Sequence, residues 1–192
     1  MSATNRGGKR DKLDRYYTPD DFARACVARM TIPEGAEVLE PSVGGGAFVR
    51  AVLAATKGTA DVTGVDMDAY ADGFTLCDEI TIGDFLDYAD LLANPGFDVV
   101  IGNPPYYCAD LHVRAALKCA PRVGFLLRIN FLEGQKRAQL WQDTPLAAVH
   151  VFSRRPSFTG GGSDATGYAF FVWDKSHEGP ASIHWVFPGD MS

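Results

Sequence analysis

The sequence contains no Cys-x-x-Cys pair; its four cysteines, Cys26, Cys77, Cys108 and Cys119, stand far apart. That spacing argues against a zinc ribbon or a dithiol redox motif and predicts reduced, mostly buried thiols. The four histidines (His112, His150, His177, His184) do not cluster, and Ala181 stands where a His-Glu metalloprotease helix starting at His177 needs its second histidine. No metal is expected. A G-x-S-x-G nucleophile elbow and a G-x-x-x-x-G-K-[ST] phosphate loop are also missing. No apolar run approaches the roughly 20 residues of a membrane span, and the polar start has no signal-peptide core. A cytoplasmic chain without membrane contact is the expectation.

Positive charge is in short supply, with 18 Lys and Arg against 24 Asp and Glu, a net charge of −6. The distribution is uneven. Residues 1–100 carry 9 basic and 17 acidic side chains, whereas residues 101–192 carry 9 and 7. Arg114, Lys118, Arg122, Arg128, Lys136, Arg137, Arg154 and Arg155 crowd the second half, and Arg6, Lys9, Arg10, Lys12 and Arg15 crowd the start. Such local patches either hold a polyanion or sit on solvated faces. Residues 1–15 read as a flexible basic tail and residues 16–192 as a single domain. With 46% hydrophobic residues the domain has a real core.

Strand and helix patterns alternate along this domain. Strands are expected at 37–40, 61–66, 79–83, 97–101, 122–128, 146–152 and 167–173, with a short extra one at 181–187. Helices are expected after Thr18-Pro19 (with Thr18 as N-cap), and at 47–56, 69–76, 84–93, 109–120 and 131–142. The alternation predicts an α/β fold: a single-domain, seven-stranded doubly wound sheet, Rossmann-like, ending in an antiparallel β-hairpin.

Four stretches carry chemistry. Val99-Val100-Ile101-Gly102 is a buried strand pattern that stops at Asn103-Pro104-Pro105-Tyr106. Neither proline can donate a ladder hydrogen bond, so Asn103 falls at the rim where open α/β sheets bind ligands. The stretch is either a Pro-Pro turn or a grip for a planar, amino-bearing group. Glu40-Pro41-Ser42-Val43-Gly44-Gly45-Gly46 follows another strand and opens a helix. Val49 replaces the third glycine of a dinucleotide fingerprint, which disfavours NAD and FAD. Asp66 ends the next strand, 20 residues after Gly46, where a carboxylate can take ribose hydroxyls. Met67 packs on a purine or fills core. Asp84 caps a helix, takes a purine amino group, or does both, with Phe85 as cover.

Taken together and in order, these motifs resemble the S-adenosylmethionine-dependent amino-methyltransferases. The Asn-Pro-Pro-Tyr form resembles the adenine-N6 DNA branch, in a gamma-like motif order. Tyr17-Thr18-Pro19 resembles the motif that precedes the glycine loop in that branch. The similarity runs from about residue 16 to 174. It implies the class I methyltransferase fold and S-adenosylmethionine as cofactor. Tyr17, Thr18, Pro19, Glu40, Pro41, Ser42, Gly44 and Gly46 would hold its methionine end, Asp66 its ribose, and Met67, Asp84 and Phe85 its adenine, with Asn103 reaching the same site.

The resemblance also implies a catalytic set: Asn103, Pro104, Pro105 and Tyr106. The Asn103 side-chain oxygen and the Pro104 carbonyl would accept the two N6–H bonds of adenine, freeing a lone pair otherwise delocalised into the ring. Tyr106 would stack on a base flipped out of the duplex. Members with this motif order usually carry a separate target-recognition domain after the core. Only 19 residues run from Asp174 to the end of this chain. Target reading is therefore expected from the 153–164 loop, through Arg154, Arg155 and Phe158, or from a specificity partner protein. Competing readings are adenine methylation in RNA, N5-methylation of a protein glutamine as in release-factor methyltransferases, and a non-catalytic module on the same fold.

Overall fold

The computed structural model of the chain describes residues 17–93, 96–157 and 166–191. The basic tail, Phe158 and most of the loop around it lie outside the described residues. Five strands run parallel: β1 (Glu37–Glu40), β2 (Asp61–Asp66), β3 (Glu79–Ile82), β4 (Val99–Gly102) and β5 (Arg122–Arg128). Three more follow: β6 (Leu146–Phe152), β7 (Tyr168–Asp174) and β8 (Ser182–Val186). The spatial order is β3-β2-β1-β4-β5-β7-β6-β8, with β7 antiparallel to both β5 and β6.

The β6–β7 hairpin is present, but the sheet has eight strands and does not end there. β8 pairs parallel with the outer edge of β6, from Ala148↔Ser182 to Phe152↔Val186. That edge would otherwise present a row of unpaired backbone groups. The expectation of seven strands is corrected accordingly.

Helices cover both faces, as a parallel sheet requires. α1 (Asp20–Val27) and α2 (Ala47–Ala55) pack on one face, in a core with Val38, Ile101, Leu126 and Phe170. α3 (Phe85–Leu92) and α4 (Ala109–Cys119) pack on the other, with Leu39, Val100, Phe125 and Phe171. Val99, Val100 and Ile101 are fully buried, as their β-branched run predicts. None of the described helices is long and apolar enough to cross a membrane.

Three local expectations change. The 69–76 segment is not an α-helix but a 3-10 turn over Asp72–Leu76. Gly73 in it backs onto the glycine loop, where a Cβ would lie 2.6 Å from the Gly46 Cα. The 131–142 segment breaks into short 3-10 turns before α5 (Ala138–Asp143), because Gly134 adopts φ of 106°. The N-cap of α1 is Pro19, and Thr18 spends its hydroxyl elsewhere. At the far end of the chain a 3-10 turn, Pro188–Met191, returns to α1: Arg29 meets Asp190 at 3.5 Å, and Met191 joins the core of Phe22.

Candidate active site

Parallel strands deliver their carboxyl ends to one rim. Glu40, Asp66 and Asn103 emerge there from β1, β2 and β4, and Asp84 follows β3. β4 stops at Gly102, directly before the asparagine and its two prolines. Between the ends of β1 and β4 lies a cavity of about 180 Å³. Thr18, Glu40, Ser42, Gly44, Gly45 and Asn103 contribute to its wall.

The glycine loop forms one side. Gly46 sits at φ 74°, a left-handed conformation that admits a side chain only at a cost, and starts α2. The exposed Tyr17 ring lies against Gly44 and Gly45; a Cβ on Gly45 would come 3.0 Å from it. Arg50, one turn into α2, donates to the Gly45 carbonyl at 2.7 Å and pairs with Asp20 at 2.7 Å. Sequence reasoning missed Arg50, since only the folded loop brings it back to the cavity.

Two polar groups in this cavity want partners. The Asn103 Nδ2 donates to Thr18 Oγ1 at 3.0 Å, across 85 residues of chain. The Asn103 Oδ1 is buried and meets no hydrogen-bond partner among the described residues. Glu40 is also buried, and its Oε2 lacks a partner among them too. Burial pushes its carboxyl well above the usual carboxylate range, and Asp66 nearby adds to this, while the Val49 N–H and Arg50 act against it. Such groups cost stability unless something satisfies them.

The other expected residues are distributed along the same rim. Asp66 accepts from the Gly44 N–H at 2.8 Å and from the Asp68 N–H at 2.8 Å, so it braces the glycine loop with the second lone pairs of its oxygens to spare. Met67 is exposed. Asp84 caps α3, accepting from the Leu86 N–H at 3.0 Å. The Phe85 ring is 2% exposed and lies 5.6 Å from the His112 ring in the core.

Tyr106 is half-buried beside the asparagine. Its ring lies 5.8 Å from that of Tyr168 and carries the Arg128 guanidinium 4.9 Å from its centroid. Arg128 ends β5, the strand next to β4, which is why a simple charge count did not single it out. Arg154 is occupied as well: it pairs with Asp21 and lies 5.0 Å over the Phe22 ring. Though exposed, it ties the start of the β6–β7 loop to α1. Arg155 is exposed. The histidines are less scattered than they look in sequence, for β6–β8 pairing stacks His150 on His184 at 5.0 Å.

No protein-family model matches the chain. A stretch of 96 residues, 49% of the chain, is 36% identical to the type II methyltransferase M.TthHB8I of Thermus thermophilus and covers 21% of that protein. Over 101 residues, 51% of the chain, it is 29% identical to the type II methyltransferase M.HincII of Haemophilus influenzae and covers 18% of it. The match thus spans about a fifth of these relatives' length. Among solved structures, the methyltransferase subunit of a type I restriction-modification system from Streptococcus thermophilus superposes with a TM-score of 0.71 at 14% identity, over 89% of this chain and 46% of that one. At such identity the likeness speaks for architecture alone, and the architecture it establishes is the class I methyltransferase fold.

Proposed function

We propose that the chain transfers a methyl group from S-adenosylmethionine to the N6 amino group of adenine in DNA. The observation that carries this reading is the Asn103 amide. Its nitrogen is tied to Thr18, and its oxygen is buried and without a hydrogen-bond partner among the described residues, at the wall of a cavity that a glycine loop also lines. A buried acceptor of this kind suits an N–H donor brought in by the substrate. The relatives are type II methyltransferases by name, and the fold is shared with a type I restriction-modification methyltransferase subunit, which favours DNA over RNA or a glutamine side chain.

The cavity's donors and acceptors fit the cofactor. Glu40 Oε2 offers a buried carboxyl partner that ionises beside the methionine ammonium, and the bare backbone of Gly44–Gly46 permits close approach. In this reading Asp66 takes the ribose hydroxyls and the Asp84 segment the adenine. When bound, S-adenosylmethionine supplies an electrophilic methyl group on its sulfonium.

The protein's part is to prepare the amine. An aryl amine is a weak nucleophile because its lone pair is shared with the ring. Asn103 Oδ1 and the Pro104 carbonyl each accept one N6–H bond and draw the nitrogen toward tetrahedral geometry. Proline at 104 fixes φ and so holds that carbonyl in place. Tyr106 stacks on the flipped base, an interaction typically worth roughly 1–3 kcal/mol. The nitrogen lone pair bonds the methyl carbon as the carbon–sulfur bond breaks, the bonding pair stays on the sulfur, and one N6 proton leaves past the Asn103 and Pro104 oxygens to solvent. Alignment of the two reactants provides much of the acceleration. Target selection falls to the β6–β7 loop, with Arg155 and Phe158, or to a specificity partner.

Tritiated-methyl transfer offered separately to DNA, RNA and a glutamine peptide, followed by nucleoside analysis, tests the reading. N6-methyladenine from DNA is the expected product, and Asn103→Ala is expected to abolish it while S-adenosylmethionine still binds. Label in the peptide, or normal turnover by Asn103→Ala, refutes the proposal.

A further inference from the structure

We infer that two copies of this chain join along β8, in an isologous pair that continues the sheet across a two-fold axis. β8 covers the outer edge of β6 but is itself the last strand of the sheet, so among the described residues its own outer edge has no strand beside it. Such edges are commonly blunted by a lysine, a proline or a bulge. β8, with the sequence Ser-Ile-His-Trp-Val and an unbroken register, has none of these. Residues 179–189 carry no Asp, Glu, Lys or Arg, in a chain whose net charge is −6. A second copy can therefore approach along this strip without setting like charges against each other.

One side of the strip is apolar and uncovered. Ile183, Trp185 and Phe187 alternate along it and are 57%, 60% and 58% exposed. Ile183 lies beside Val149 and Trp185 beside Val151, on the side of the sheet that packs α3 and α4. On that side, at Ala181, opens a cleft of about 380 Å³ that Leu132, Trp141 and Pro180 help to wall. An antiparallel pair centred on His184 uses both features. Only this centre pairs all five residues of β8 with one another. His184 meets its counterpart on the axis, Ile183 faces the partner's Trp185, and Ala181 faces the partner's Phe187. Opposed side chains of an antiparallel pair share a face, so the two apolar strips merge. Each Phe187 ring is brought to the other copy's cleft, a knob and a hole supplied twice by one rotation. The three exposed side chains present roughly 400 Å² per copy, and with the strand edge and the cleft wall the pair buries about 1,200 Å² in total, the lower bound for a specific interface. Reversible, micromolar association is expected at that size. β8 runs in the same direction as β4, so the two cavity-bearing rims of the pair point opposite ways and both stay open.

Sedimentation velocity of the full chain over a micromolar concentration series tests this. A monomer–dimer equilibrium without larger species is expected. Trp185→Lys and Phe187→Ser should each shift it about tenfold or more toward monomer. Leu91→Lys, which removes an apolar side chain 73% exposed on α3, should leave it unchanged. Two cysteine variants at exposed positions report the register. Under a mild oxidant His184→Cys should form a disulfide with its own counterpart, because opposed residues of an antiparallel pair lie within disulfide range. Ser182→Cys, which faces the partner's Val186, should not. A chain that stays monomeric at every concentration overturns the inference, as does a dimer that both β8 variants leave intact or that Leu91→Lys weakens equally. Association that grows past two copies, or equal cross-linking of the two cysteine variants, overturns it too. Should melting curves show Trp185→Lys or Phe187→Ser to be unfolded, the two cysteine variants still decide the matter.

Discussion

Replacing Glu40 by glutamine separates what the empty fold needs from what the ligand needs. The side chain is 2% exposed and its Oε2 is unpartnered among the described residues. Burial raises its pKa well above the ordinary carboxylate range; the Val49 N–H opposes this, Asp66 adds to it, and Arg50 opposes it. The consequence for stability has a definite sign. In the unfolded chain a glutamate releases its proton near pH ~4.3. The folded protein holds that proton to higher pH, so stability declines as pH rises from that point through the folded pKa. Glutamine does not titrate. Glu40→Gln should escape this decline and melt at or above the wild-type temperature at neutral and alkaline pH. Cofactor binding should move the other way. A charge-assisted hydrogen bond is worth about 1.5–3 kcal/mol, so losing the one to the methionine ammonium should weaken S-adenosylmethionine by roughly 10- to 150-fold. Binding favours the carboxylate, so wild-type affinity should also climb with pH, and the variant's should not. Titration calorimetry and thermal melts over a pH series measure both halves. A variant that binds S-adenosylmethionine as tightly as wild type and melts lower refutes the assignment of Glu40 to the cofactor.

Gly73→Ala drives a Cβ to 2.4 Å from Val43 Cγ1 and 2.6 Å from the Gly46 Cα. Overpacking of this kind costs about 1–3 kcal/mol, so a lower melting temperature and weakened cofactor binding are expected, and unchanged binding by calorimetry would remove the 3-10 turn from the wall of the loop. His150 is pushed down to about 4 by burial, then by His184 and Arg29. The stability it contributes is complete above pH ~6.5 and fades as pH falls toward that lower value, so His150→Gln should flatten the acid limb of a melting-temperature profile.

Much of this was legible in the chain. The run Val99–Ile101 announces a buried parallel strand, and two prolines after Asn103 make it end at the rim. Asp84 declares itself a helix cap by type and position. What resisted reading depends on tertiary contact. Thr18 has the residue type and place of an N-cap, but Asn103, far along the chain, claims its hydroxyl. The 69–76 segment looked like a weak helix because nothing local says that Gly73 must touch Gly46. Arg128 is one basic residue among many until β5 pairs with β4 and sets it over Tyr106. His150 and His184 meet only through the register in which the short extra strand, expected at 181–187, pairs with β6.

The return of the Pro188–Met191 turn to α1 has a consequence for how the gene can be arranged. The turn packs on α1, the first helix of the described fold, so a linker running along that helix could join the two ends. A new opening between α3 and β4 would then place the Asn-Pro-Pro-Tyr half first and the glycine-loop half second. Every contact at the rim would survive, including the one between Thr18 and Asn103. The order of motifs along the chain is thus a matter of where the polypeptide is cut. A circularly permuted gene is a direct way to ask whether the two halves work together by geometry alone.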